Sequence, residues 1–140
     1  MTKYKKSLIA GAFDVIHPGY IRAFRQAKKQ ANKLIVALHV NPKNERVEKL
    51  SPVLSVQERI EILSEIKSID EIITYENENE LLNIIIQNKI DLRILGDDYI
   101  NKPFTGSNLD IKVLYMDRSH GYSATKFKQL IAEQIVLTDQ

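Results

Sequence analysis

The 140-residue chain contains no cysteine, which excludes disulfides, thiolate chemistry and sulfur-ligated metals, and agrees with a reducing compartment. It lacks a strong charge of either sign. Lys and Arg number 20 against 18 Asp and Glu, a net charge of +2 with both signs mixed along the chain. That leaves no bulk footprint for nucleic acid or anionic lipid, so any anion must be bound by local arrangement. Long hydrophobic runs are missing too. The first apolar stretch, residues 8–13, is too short for a signal-peptide core or a membrane span, and the cytoplasm is the expected location. No repeat, low-complexity tract or linker divides the chain, and an apolar fraction of 44% suffices for one continuous core. A single domain over residues 1–140 is expected.

What is present is alternation. Clusters rich in β-branched residues fall at 8–10, 34–38, 72–74, 93–95 and 111–115, with helical periodicity in most of the gaps, which predicts an α/β fold with a parallel sheet and helices on both faces. Ile21, Phe24, Ala27 and Ala31 recur at helical steps after Pro18. Ser55 and Glu58 form a capping-box pattern ahead of Val56, Ile60 and Leu63, predicting a helix to about residue 66. Residues 80–88 read as a helix apolar nearly all round, buried between the sheet and another surface, a dimer contact being one such cover. A last helix starts at Ser123 and repeats apolar residues at Phe127, Leu130, Ile131 and Ile135, with residues 137–140 expected to fray.

In an open parallel sheet, ligands bind beyond the carboxyl ends of the strands, near the point where strand order reverses. The segments just after the strands are Gly11-Ala12-Phe13-Asp14 with His17 and Gly19, the loop 41–54, the Gly96-Asp97-Asp98-Tyr99 turn, and residues 118–128. Small Gly11 and Ala12 permit close backbone approach, and the helix that follows directs free N–H groups and its positive dipole end to the same place, which favours phosphate. Tyr20 lies three residues beyond His17, on the same helix face. His39 ends a strand, and as a residue type it fits a structural or a ligand-contacting role equally.

These segments carry a resemblance. GAFDVIHPGY resembles the signature G-T-F-D-x-x-H-x-G-H of the nucleotidyltransferase superfamily that includes the glycerol-3-phosphate cytidylyltransferases. RSHGYSATKFK is similar to that family's R-T-E-G-I-S-T-T-x-I-K, and GDDY to its G-D-D-W. The three segments occur in the family's order across nearly the whole chain. The resemblance implies a Rossmann-like domain with a five-stranded parallel sheet in the order 3-2-1-4-5. It implies an enzyme that transfers a nucleoside monophosphate, CMP from CTP being favoured, to a small phosphorylated acceptor such as glycerol 3-phosphate or another polyol or sugar phosphate, releasing pyrophosphate. ATP use and a catalytically weakened nucleotide-binding module are the alternatives. Mg²⁺ would be bound mainly through the triphosphate, with no protein metal site, and the chain would form a homodimer that binds neither nucleic acid nor membrane.

Carried over position by position, the resemblance makes His17, Arg118 and one of the loop lysines, Lys43 or Lys49, catalytic. Gly11, Ala12, Phe13, Gly19, Tyr20, Gly121, Ser123 and Thr125 join His17 and Arg118 around the nucleotide and its phosphates. Asp14, Arg59, Asp97, Asp98 and His120 would border the acceptor. A phosphate monoester, with a second pKa of about 6, is already a dianion at neutral pH and needs no general base. Four departures stand out. Tyr20 replaces the second signature histidine, and a phenol of pKa about 10 supplies no cation. Ala12 and Ala124 each replace a threonine. His120 stands in place of glutamate and would return some positive charge.

Overall fold

A computed structural model describes residues 3–138. Five strands, β1 (Tyr4–Gly11), β2 (Ala31–His39), β3 (Glu71–Tyr75), β4 (Leu92–Gly96) and β5 (Lys112–Met116), form one all-parallel sheet in the order β3-β2-β1-β4-β5. The helices are α1 (Pro18–Gln30), α2 (Val56–Ser64), α3 (Glu78–Gln87) and α4 (Ala124–Thr138). The expected architecture and strand order are therefore those of the molecule. Strand order reverses at the β1–β4 pair, which places Gly11 and Gly96 at the carboxyl edge of the switch point.

Alternation along each strand sorts side chains into two cores. Leu34, Val36, Leu38, Leu92 and Ile94 pack with Phe24 and Ala27 of α1 and Leu63 of α2 on one face. Leu8, Ile35 and Ala37 pack with Leu81, Ile84 and Ile85 of α3 on the other. The run Leu34–Leu38 is 0% exposed throughout, as expected for a strand covered on both faces.

Element ends differ from the sequence reading for identifiable reasons. Ala31, read as the last turn of the first helix, is the first residue of β2 and pairs with Tyr4. No glycine separates helix from strand, and the chain passes directly between them. Ser55 caps α2 through the full capping box, but regular helix ends at Ser64 and the chain leaves through two tight turns at Glu65 and Ile66. Asn77 caps α3 by accepting from Glu80 N–H, so this helix starts two residues before the expected point. It buries one side, and Ile86 is 55% exposed. α4 continues through Thr138, two residues into the expected fray; residues 139–140 lie outside the described chain. Its apolar stripe is uncovered: Leu130, Ile131, Ile135, Val136 and Leu137 are 45–63% exposed.

Candidate active site

After Gly11 the chain turns through Phe13, a non-glycine residue at φ 47°. Such a left-handed conformation is unfavourable for a bulky side chain and persists only where its surroundings hold it. The Phe13 ring lies over Gly11, where an added Cβ would come within 3.1 Å, and meets Tyr20 and Phe24 edge-on at 5.0 and 5.3 Å. The turn is also held by Arg59. Its guanidinium is 2% exposed and donates to five carbonyls, those of Ala12 (2.9 Å), His39 (2.8 Å), Val40 (2.7 Å), Leu54 (3.2 Å) and Ser55 (3.4 Å). Arg59 thus ties the ends of β1 and β2 to the start of α2. Its charge is spent on backbone, away from any open acceptor surface.

Asp14, 4% exposed, accepts from Val53 N–H (2.6 Å) and Leu54 N–H (2.9 Å) and pairs with Lys128 of α4 at 2.5 Å. Burial alone would raise its pKa. The hydrogen bonds from Lys128, Leu54 and Val53, with the Lys128 charge, outweigh it and hold the carboxyl below its ordinary value. Its oxygens are occupied, so Asp14 fastens the 41–54 loop and α4 to the β1 turn.

His17 ends this segment as the residue before α1, its extended backbone leaving the ring 6% exposed. The ring stacks on Tyr20 at 3.9 Å, and both its nitrogens are buried without a hydrogen-bond partner. Burial lowers its pKa to about 4, aided by the positive fields of His120 and Arg118. At neutral pH it is a neutral imidazole with one donor and one acceptor unused. Gly19 gives the two histidines their room: a Cβ would lie 3.0 Å from the rings of both His17 and His120, tighter than ordinary contact. Tyr20 packs among Phe13, His17 and Phe24, and burial raises its pKa, so it stays neutral.

The opposite wall comes from the β4 and β5 ends. Arg118 donates its backbone N–H to Asp97 (3.3 Å), and its guanidinium lies 3.7 Å from Asp98. A Cβ on Gly96 would stand 2.3 Å from Asp98 Oδ1 and 2.6 Å from Arg118 Cδ, so glycine here is what lets Arg118 cross the turn. Asp97 and Asp98 act as positioning groups for Arg118. The next turn uses Gly121 at φ 76°, with Tyr122 N–H donating to His120 Nδ1 at 2.9 Å. Ser123 then caps α4, its Oγ accepting from Lys126 N–H at 3.0 Å.

Two adjoining cavities open along this edge. The larger, about 1120 Å³, is bordered by Gly11, His17, Gly19, Arg118 and His120 and runs down to Arg93 and Phe104. The smaller, about 280 Å³, is bordered by Ala12, Asp14, Lys49, Thr125 and Lys128; Phe13 and Tyr20 line both. Of the two loop lysines Lys49 lines a cavity, whereas Lys43 lies in the 3-10 turn Pro42–Asn44 and lines neither. Among the wall residues that sequence reasoning did not single out are Arg46, Tyr122, Glu78 and Arg93. Arg46 shares the lysine-bearing loop, which was signal enough. Tyr122, in the second signature, extends the ring stack between His17 (6.0 Å) and Phe127 (6.0 Å).

The comparisons with known proteins agree with this geometry. Residues 8–130 match the family model described as Cytidylyltransferase-like. The chain belongs to the cytidylyltransferase-like family. As a member it is a nucleotidyltransferase. It is 34% identical over 128 residues to glycerol-3-phosphate cytidylyltransferase of Bacillus subtilis, covering 91% of this chain and 98% of that protein. It is 31% identical over 124 residues to the bifunctional protein HldE of Campylobacter jejuni, covering 89% of this chain but 27% of that protein. Among solved structures, a lipopolysaccharide core biosynthesis protein from Thermoplasma volcanium superposes with a TM-score of 0.66 at 23% identity over 80% of this chain and 95% of that one, a likeness of fold alone. This nucleotidyltransferase therefore carries its signature residues on the edge where the topology places a ligand, with Asp14 and Arg59 turned to holding that edge together.

Proposed function

We propose that the protein transfers CMP from CTP to a small phosphorylated acceptor of polyol or sugar type, releasing pyrophosphate. The observation that supports this most is His17: a buried imidazole with both nitrogens unpartnered, at a helix start beside Arg118 and His120. Buried polar atoms in folded proteins are satisfied almost without exception, and those left open at a cavity indicate a ligand that supplies the partner. The α-phosphate is that ligand in this reading.

An oxygen of the acceptor's phosphate attacks the α-phosphorus, the α–β anhydride bond breaks, and pyrophosphate leaves with the electron pair. No proton need be removed from a dianionic nucleophile. The protein's work is positioning and charge stabilisation. His17 acts as a neutral hydrogen-bond donor to the α-phosphate. Arg118 supplies the fixed cation, and Lys49 and Arg46 approach the β- and γ-phosphates from the loop. The N–H groups at the start of α4, with Thr125, cradle the far end of the triphosphate. Among the described residues no three His, Asp or Glu side chains cluster as a metal site, and Asp14, Asp97 and Asp98 are engaged with protein groups. Such surroundings suit Mg²⁺ carried on the triphosphate, where it would offset phosphate charge.

We also read the protein as a homodimer working in the cytoplasm, with the uncovered stripe of α4 as the contact. Tyr20 favours a second reading, a nucleotide-binding module with slow turnover, because a neutral phenol stands where a second histidine would carry charge. Pyrophosphate release with Mg²⁺, measured for CTP, ATP, GTP and UTP against a panel of phosphorylated polyols, sugars and sugar acids, separates these. Turnover confined to CTP is expected. ATP-dependent turnover moves the enzyme to the adenylyl branch, and nucleotide binding without any turnover establishes the module.

A further inference from the structure

Arg93 is the second residue of β4, with its side chain on the α3 face, among Leu8, Ile85 and Tyr75, and is 3% exposed. A buried guanidinium needs partners for its donors, and this one has few. Nη1 donates to Thr105 carbonyl at 2.6 Å, and the Phe104 ring lies 5.6 Å from the guanidinium carbon. Nε is buried with no partner, and Nη2 makes no hydrogen bond among the described residues. No ion pair to Arg93 forms among the described residues either. Glu78 offsets part of the charge from a distance, but its carboxylate is hydrogen-bonded by Thr105 Oγ1. Burial accordingly lowers the Arg93 pKa, the mark of a cation held without adequate compensation.

The open donors have a definite shape. Nε and Nη2 form one edge of the guanidinium, two parallel N–H bonds that match the two oxygens of a carboxylate. Arg93 also lines the larger cavity, the one that His17 and Arg118 border at its mouth. It precedes Gly96 by three residues, so it stands about 10 Å below the carboxyl edge of the strand. It therefore marks the depth of the cavity, away from the reacting phosphorus.

Resting on the nucleotidyl-transfer reading above, we infer that Arg93 binds a carboxylate at the end of the acceptor remote from its reacting phosphate. The substrate class is then a phosphorylated hydroxy acid or sugar acid, in preference to the neutral polyol phosphate of equal length. Glu78 and the Tyr99 side of the cavity face the hydroxyl groups between the two anionic ends.

Binding measured by calorimetry, without turnover, tests this with two matched pairs: glycerol 3-phosphate against 3-phosphoglycerate, and sorbitol 6-phosphate against 6-phosphogluconate. In the wild-type protein saturated with Mg²⁺ and α,β-methylene-CTP, whose α–β bridge cannot be cleaved, the acid of at least one pair should bind about 10-fold or more tightly than its neutral partner, the discrimination a single satisfied buried charge provides. Arg93→Gln should abolish that advantage, Arg93→Lys should keep part of it, and CTP affinity should be unchanged in both. Equal affinities within both pairs, or an acid preference that survives in Arg93→Gln, overturns the inference. The wild-type comparison and Arg93→Lys decide the matter should Arg93→Gln not fold. Failure of CTP to bind the wild-type protein counts against the transfer reading instead, and the pairs measured without nucleotide still judge Arg93.

Discussion

His17 and Arg59 are both buried basic side chains, and the structure gives them opposite work. His17 has no partner and a pKa pulled down to about 4 by burial, with His120 and Arg118 contributing. Its charged form is disfavoured in the fold, so the unfolded chain binds the extra proton between pH 6.5 and about 4. Stability from this source is complete above pH 6.5 and is lost as pH falls through that window. His17→Phe keeps a ring against Tyr20 and removes the titration; melting temperatures at pH 7.5 and 4.5 should differ less in this variant than in the wild type. An unchanged pH dependence would show that His17 is not held neutral. Arg59, with five carbonyl acceptors, is predicted to be a stability residue: Arg59→Met should cost about 3 kcal/mol or more in urea unfolding, by stranding those buried carbonyls. The sequence motif singled out His17, which the structure places in the wall of the larger cavity. It gave no sign that Arg59 and Asp14 turn inward, because donors and acceptors on the backbone are invisible until the turns that present them are folded.

At the scale of elements, the site is an assembly of turns held by small residues. Gly96 leaves room for Arg118 to cross the β4 turn, and the groups a Cβ would strike are the Asp98 carboxylate and the Arg118 methylenes, side-chain atoms and not backbone. Gly96→Ala is therefore expected to leave the far-UV circular dichroism unchanged while displacing Arg118, lowering kcat/KM for the nucleotide by about 10-fold or more. A change confined to thermal stability would contradict the role given to that glycine. The cap at Asn77 was passed over, whereas helix starts were readable at the capping residues Ser55 and Ser123. Helix ends were not: Ala31 left α1 for a strand pairing with Tyr4 that only the sheet supplies, and α4 ran on to Thr138 with no stop signal before it. Arg93 was read as strand and nothing more, since a single charge in an apolar cluster says nothing of the cavity beside it.

For the whole molecule, alternation of strands and helices sufficed to foresee the architecture, and the strand order placed the signature segments on one edge. Burial against a second copy was sought on α3, where Ile86 is the large apolar side chain left exposed. The longer uncovered stripe lies on α4, the surface proposed as the dimer contact: sedimentation should then show a dimer, and Ile131→Lys should shift it towards monomer with the fold intact. A wild-type monomer at micromolar concentration would contradict that surface's role. The central claim is chemical, and ³¹P NMR of the wild-type protein with CTP, Mg²⁺ and a phosphorylated acceptor tests it most directly. The account predicts growth of paired resonances from a new diphosphate diester together with pyrophosphate, slowed about 10²–10³-fold in His17→Asn. Release of inorganic phosphate with no diester, or a His17→Asn rate equal to that of the wild type, would contradict it.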